Sequence, residues 1–280
     1  MSFEQRFASV RDRRAAYGVA GDESAPTVVF LHGWALTNST YRVALTRLVR
    51  GGYRVIAPAL PGHGDSAALD EDAELADYAD WVDALLEAVT GDERVVLVGH
   101  SLGGGVAIRT AFDHPERVRA LVLIDSIGGS AWRRNGSLVE TMRERPLWDW
   151  GLHFPADIFP NRQMRRVVPV IVQDAVVNAL RNPRAVWRAA NVARFADLTD
   201  ELDALKRRGL PVVVVWGARD RIVGKMSIDS LVDAVGAGSV HTVEGGHSWL
   251  LADPKTFGEV MTNVLAVVEH TGAPDGMTGS

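Results

Sequence analysis

Five short apolar runs mark the chain: residues 27–31 (TVVFL), 54–57 (RVIA), 94–98 (RVVLV), 120–124 (ALVLI) and 211–216 (PVVVVW). Each is nearly continuous rather than alternating, rich in Val and Ile, and too short for a buried helix. Continuous hydrophobicity means that both faces are covered, as in a parallel sheet. Between the runs lie helical patterns. Residues 41–50 carry Val43, Leu45, Leu48 and Val49, and residues 75–89 carry Tyr78, Trp81, Val82, Leu85, Leu86 and Val89 at three- and four-residue spacing. A helix over 102–112 stops at His114-Pro115, and 257–269 repeats Val260, Met261, Val264, Leu265 and Val268 as a closing amphipathic helix. This alternation predicts an α/β fold with an open, mostly parallel sheet flanked by helices and right-handed crossovers. Ligands are expected at the carboxyl ends of its strands.

Residues 128–196 break the alternation. Their one Val/Ile run, 167–172, is interrupted by Pro169. They hold Trp132, Trp148, Trp150 and Trp187, half of the chain's tryptophans, and eleven arginines against five acids. The pattern predicts a helical insertion lying over the sheet, its aromatics divided between packing and an apolar cavity. The expected organisation is a core of 1–127 and 197–270, a helical cap or lid at 128–196, and a Gly/Pro-rich flexible tail at 271–280.

The segment with chemical content is Val95-Val96-Leu97-Val98-Gly99-His100-Ser101-Leu102-Gly103-Gly104-Gly105. A buried strand runs into Gly-x-Ser-x-Gly and a helix follows at once. So tight a turn strains the backbone of Ser101 and exposes its hydroxyl above the sheet. The new helix aims free N–H groups at the place where negative charge would form. A dinucleotide fingerprint is excluded because Ser101 stands where the second glycine is needed, and a phosphate loop because no lysine is near.

A serine hydroxyl needs a base, and the base needs an orienting acid. With these needs in view, the chain resembles the α/β-hydrolase-fold serine hydrolases of esterase or lipase type with a helical cap, from about Arg14 to Glu269. The resemblance implies a triad in the order serine, acid, histidine. Pro211–Val223 (PVVVVWGARDRIV) then supplies Asp220, and Gly245-Gly246-His247-Ser248-Trp249 supplies His247. Asp125, at the end of an apolar run, is the rival acid and is read as a turn cap. By the same resemblance, Phe30-Leu31-His32-Gly33-Trp34 is the oxyanion segment, with the backbone N–H groups of Trp34 and Leu102 as donors. His32 shapes that loop, His100 packs, and Pro61-Gly62-His63-Gly64-Asp65-Ser66 is a structural turn, preceded by Ala59 where the family often has Asp.

A serine at position 101 argues against the family's dehalogenases and epoxide hydrolases, which use aspartate there. Ala35 and the four tyrosines (Tyr17, Tyr41, Tyr53, Tyr78), all outside the insertion, argue against epoxide opening as well. No His-x-x-x-His is present, so neither a metal nor another cofactor is expected. The resemblance implies hydrolysis of a small to medium apolar carboxylic ester through an acyl-enzyme. Trp34, Trp132, Trp148 and Trp249 are candidates for the pocket wall. The alternatives are a carbon–carbon bond hydrolase, a lactonase, a cofactor-free haloperoxidase on the same triad, or a receptor that binds without turnover.

Composition narrows the setting. The 280 residues include no cysteine, which removes disulfides and a thiol nucleophile, and 35 acids outnumber 30 lysines and arginines, which argues against nucleic acid. No apolar stretch at the N-terminus suits a signal peptide and none reaches the roughly 20 residues of a membrane span. A cytoplasmic protein acting on a small molecule, with no integral membrane association, is the expectation.

Overall fold

The computed structural model describes residues 3–129 and 164–271. The chain opens with an antiparallel hairpin, β1 (Glu4–Val10) and β2 (Arg13–Ala20). It continues through β3 (Thr27–Leu31), α1 (Asn38–Arg50), β4 (Arg54–Pro58), α2 (Leu75–Thr90), β5 (Val95–His100), α3 (Leu102–Asp113) and β6 (Val118–Ile124). From residue 164 the described chain continues with α4 (Met164–Arg181), α5 (Pro183–Phe195) and α6 (Thr199–Arg207). The described chain closes with β7 (Val212–Gly217), α7 (Lys225–Val235), β8 (Val240–Val243), a single turn α8 (Trp249–Ala252) and α9 (Pro254–Thr271).

All eight strands form one sheet in the order β1-β2-β4-β3-β5-β6-β7-β8, parallel from β4 to β8 and antiparallel in the first two pairings. The five apolar runs are five of its strands. Successive residues along each go to opposite faces, and both faces are buried. Val29, Leu31, Leu97, Leu121, Leu123 and Val214 pack with α2, α3, α6 and α7. Val28, Phe30, Val96, Val98, Val122 and Val215 pack with α1, α8 and α9. Two covered faces are why the runs read as continuous rather than alternating.

Sheet order reverses at β3. From there the chain steps to β4 on one side and returns to β5 on the other, so β3 and β5 are neighbours, with Leu31 opposite Gly99. The loops leaving their carboxyl ends therefore diverge around a crevice, the usual ligand position of open α/β sheets.

Residues 128 and 197 meet. Gly128 and Asp197 form an isolated parallel bridge, and the Leu198 N–H donates to the Gly128 carbonyl at 2.8 Å. The described part of the insertion, α4 and α5, is docked by hydrogen bonds from one polar row. Asp174 Oδ2 accepts from the Thr37 N–H (2.8 Å) and from the hydroxyls of Thr37 (2.7 Å) and Thr40 (2.5 Å). Asn178, fully buried, accepts from the Gly64 N–H at 2.8 Å and donates to the Ala35 carbonyl at 2.9 Å. Asn182 donates to the Gly62 carbonyl at 3.2 Å. Positions 174 and 178 share one face of α4 and Asn182 caps α5, so this polar row docks the insertion beside the apolar face of α5, where Ala189 and Ala193 join the core. Pro169, expected to interrupt this stretch, lies inside α4. The tail expected at 271–280 lies, after Thr271, outside the described residues.

Candidate active site

Ser101 stands between β5 and α3 with φ 54° and ψ −118°, a strained conformation for a residue with a side chain. Neighbouring glycines make room for it. A Cβ on Gly99 would sit 2.3 Å from the Gly103 carbonyl oxygen, and one on Gly103 would sit 2.2 Å from that of Leu31. The turn is fixed by the Ser101 N–H on the Ile124 carbonyl (3.0 Å) and by the Ser101 carbonyl, which accepts from Gly104 (2.9 Å) and Ile127 (3.3 Å). Leu102 is the first residue of α3, and its N–H has no hydrogen bond among the described residues. That is the free donor expected of a helix start.

His247 and Asp220 come from two loops joined to each other. The Arg219 N–H donates to the Gly245 carbonyl at 2.8 Å, and the Ala218 N–H to that of Val243 at 2.9 Å. Across this seam His247 Nδ1 donates to Asp220 Oδ2 at 2.8 Å. The other carboxylate oxygen accepts from the Ile222 (2.7 Å) and Val223 (3.1 Å) N–H groups, and the Asp220 side chain is fully shielded from solvent. With its proton held on Nδ1, the imidazole keeps Nε2 as the basic nitrogen. Ser101 and His247 line the same cavity, of about 310 Å³.

Asp125, the rival acid, is buried at the end of β6 with φ 43° and accepts from the Gly217 N–H at 2.7 Å. Its second oxygen faces the Trp249 indole without closing a hydrogen bond of good geometry. Burial first, and the nearby Asp220 charge second, push its carboxyl well above the ordinary range. His247 is bonded to Asp220, and Asp125 ties β6 to the start of the acid loop.

His100 does more than pack. The Gly33 N–H donates to the Tyr41 hydroxyl (3.2 Å), which donates to His100 Nδ1 (2.8 Å), and His100 Nε2 donates to the His247 carbonyl (2.9 Å). One buried chain thus connects the β3 loop, the nucleophile turn and the histidine loop. Burial, then the neighbouring His247, depress His100 to about 3, which keeps the ring neutral and the chain in one polarity. His32 is similar: Nδ1 donates to the Gly33 carbonyl (2.9 Å), Nε2 accepts from the Leu60 N–H (2.8 Å), and burial lowers it to about 3. It shapes the loop, as expected. Nothing in the sequence flagged Tyr41, because its partner His100 is far along the chain.

Trp34 lines the cavity, and its indole donates to the Val186 carbonyl of α5 at 2.7 Å. Trp249 does not line it. The expectation of a pocket wall there is corrected: the ring is buried between Gly245 and Phe257, whose centroid is 6.2 Å away, because α8 turns it into the core under the histidine loop. Trp132 and Trp148 lie outside the described residues. The remaining walls are mostly apolar, with Ile127, Ile171, Val172, Val176 and Val223 prominent and Arg194, Ser227 and Ser248 among the polar exceptions.

Among the described residues, one group brings three possible metal ligands together, Asp83, His114 and Glu116. It lies at the far end of α3, where Arg117 already neutralises Asp83 at 2.7 Å. No described helix is long and apolar enough to cross a membrane.

Comparison with known proteins adds relatives to this geometry. Residues 28–260 match the alpha/beta hydrolase family. A putative non-heme haloperoxidase of Mycobacterium phage D29 is 29% identical over 253 residues, covering 89% of this chain and 90% of its own. An esterase of Mycobacterium tuberculosis is 30% identical over 263 residues, 86% of this chain and 83% of its own. In structure, a putative lipase from Acinetobacter baumannii superposes with a TM-score of 0.78 over 96% of this chain and 93% of its own, at 20% identity, a likeness of fold.

Proposed function

The chain belongs to the alpha/beta hydrolase family, and from that premise we propose that it is a serine hydrolase cleaving a carboxylic ester through an acyl-enzyme. The observation that carries this reading is a strained serine and an acid-oriented imidazole opening onto one apolar cavity. Ser101 Oγ attacks the ester carbonyl as His247 Nε2 takes its proton. Asp220 holds the imidazole in the tautomer that can accept that proton and stabilises the imidazolium formed. The carbonyl electrons move to oxygen, and the Leu102 and Trp34 N–H groups donate hydrogen bonds to the oxyanion formed. Collapse expels the alcohol, which takes the proton from His247. A water molecule, deprotonated by the same nitrogen, then releases the acid and restores Ser101. The apolar walls favour a hydrocarbon acyl or aryl group near the reacting carbon.

Steady-state turnover of a short-chain nitrophenyl ester tests the proposal. Saturating hydrolysis that falls by about 10⁴-fold or more in Ser101→Ala is expected. Tight binding without turnover, unchanged in Ser101→Ala, marks a receptor and overturns it.

A further inference from the structure

The cavity shared by Ser101 and His247 holds one fixed charge among its described lining residues: Arg194, near the carboxyl end of α5. The other arginines on this face of the insertion have work to do at its outer seam. Arg181 pairs with Asp65 (3.5 Å), Arg184 pairs with Glu71 (2.8 Å), and Arg188 donates to the Leu69 carbonyl (3.0 Å). Arg194 has no ion pair or hydrogen bond among the described residues, and its Nε is buried with no acceptor. The guanidinium carbon lies 5.4 Å from the centre of the half-exposed Phe195 ring. No described Asp or Glu lines the cavity to neutralise it.

The terminal nitrogens, unlike Nε, are not buried and have no acceptor among the described residues, and an apolar wall offers them none. A carboxylate does, since it matches the planar fork with two parallel acceptors. We propose that the substrate carries a carboxylate remote from the scissile carbonyl and that Arg194 anchors it at the cavity wall. The substrate class is then an anionic ester, such as the half-ester of a dicarboxylic acid, with its hydrocarbon segment lying along Ile127, Ile171 and Val223. The inference rests on the serine-hydrolase reading and names the substrate class of that same site. The carboxylate takes no part in bond making or breaking.

The test is a matched pair of ester sets. Mono-nitrophenyl esters of dicarboxylic acids from succinate to adipate are compared with neutral alkanoate esters of equal length. A second arm places the charge on the leaving side, comparing acetyl hydroxybenzoate with acetyl cresol. The expected result is a kcat/KM preference of about 10- to 100-fold for one anionic set, the size of a charge-assisted hydrogen bond. That ratio collapses in Arg194→Gln, is partly kept in Arg194→Lys, and shrinks as salt is raised. The two arms show on which side of the ester the charge lies. Neutral esters turned over as well as both anionic sets, or a preference that survives Arg194→Gln, overturns the inference and leaves the hydrolase reading standing. Turnover of no ester of either kind overturns that reading first, and the inference with it.

Discussion

The two walls of the cavity are built by different physics. On the sheet side, position is set by backbone. Strand ends deliver Ser101, Asp220 and His247, close main-chain approaches at Gly99 and Gly103 permit the turn, and N–H groups of Ile222 and Val223 fix the acid. On the α4–α5 side, position is set by side chains. Asp174, Asn178 and Asn182 dock onto core loops, and the Trp34 indole holds Val186. Backbone cannot be changed by substitution without breaking the fold, whereas a polar row can be rewritten residue by residue. The chemistry sits on the first kind of wall and the proposed anion anchor on the second, which separates what is held constant from what can be retuned.

The sharpest way to break this comparison concerns the acids. Asp220→Asn should lower kcat/KM by about 10³–10⁴-fold, since an amide cannot keep His247 in the productive tautomer. Asp125→Asn, at a carboxyl that bonds the Gly217 N–H and not His247, should cost no more than about tenfold, roughly 1.4 kcal/mol of barrier. Equal losses would mean that the two carboxylates share the role.

Acid should strike the sheet side first. His32 and His100 are lowered to about 3 and His63 to about 4, each chiefly by burial. Their folded values lie below the unfolded value, so the stability they contribute is present above about pH 6.5 and is lost as pH falls toward those folded values. At most about 4 kcal/mol per pH unit follows from three protons taken up on unfolding. Denaturant midpoints measured between pH 7 and pH 5 should fall steeply, and a flat profile would contradict the burial of neutral rings. No histidine stands in the described part of the insertion.

A smaller effect is expected on the other wall. Asp174→Ala strips the acceptor from the Thr37 N–H and from two hydroxyls, costing about 1–3 kcal/mol if the freed donors stay buried. Hydrogen exchange should rise in α4 while β5 and α3 stay protected. Uniform loss across the sheet would mean that the insertion and the core are one cooperative unit.

Legibility in the sequence divides along the same line. The buried parallel strands were readable to within about two residues because both their faces are apolar, and the nucleophile turn because its glycines and serine obey one geometry. The edge escaped. The β1–β2 hairpin turns on Arg11-Asp12, both at positive φ (49° and 60°), without the Asn or Gly that announces such a turn. The edge strand β8 is four residues long and half-exposed. Helix α4 was hidden because Pro169 interrupts its valines and because its docking face is polar, a pattern that reads as solvent exposure. Arg194 could be counted among eleven arginines, yet only its position distinguishes it from Arg181 and Arg184, which face acids across the seam.

Mass spectrometry after brief exposure to a fluorophosphonate probe addresses the central assignment most directly. A single adduct mapping to the peptide that contains Ser101, absent in Ser101→Ala and slowed in His247→Gln, is the predicted result. An unlabelled wild type, or equal labelling of Ser101→Ala, would contradict it.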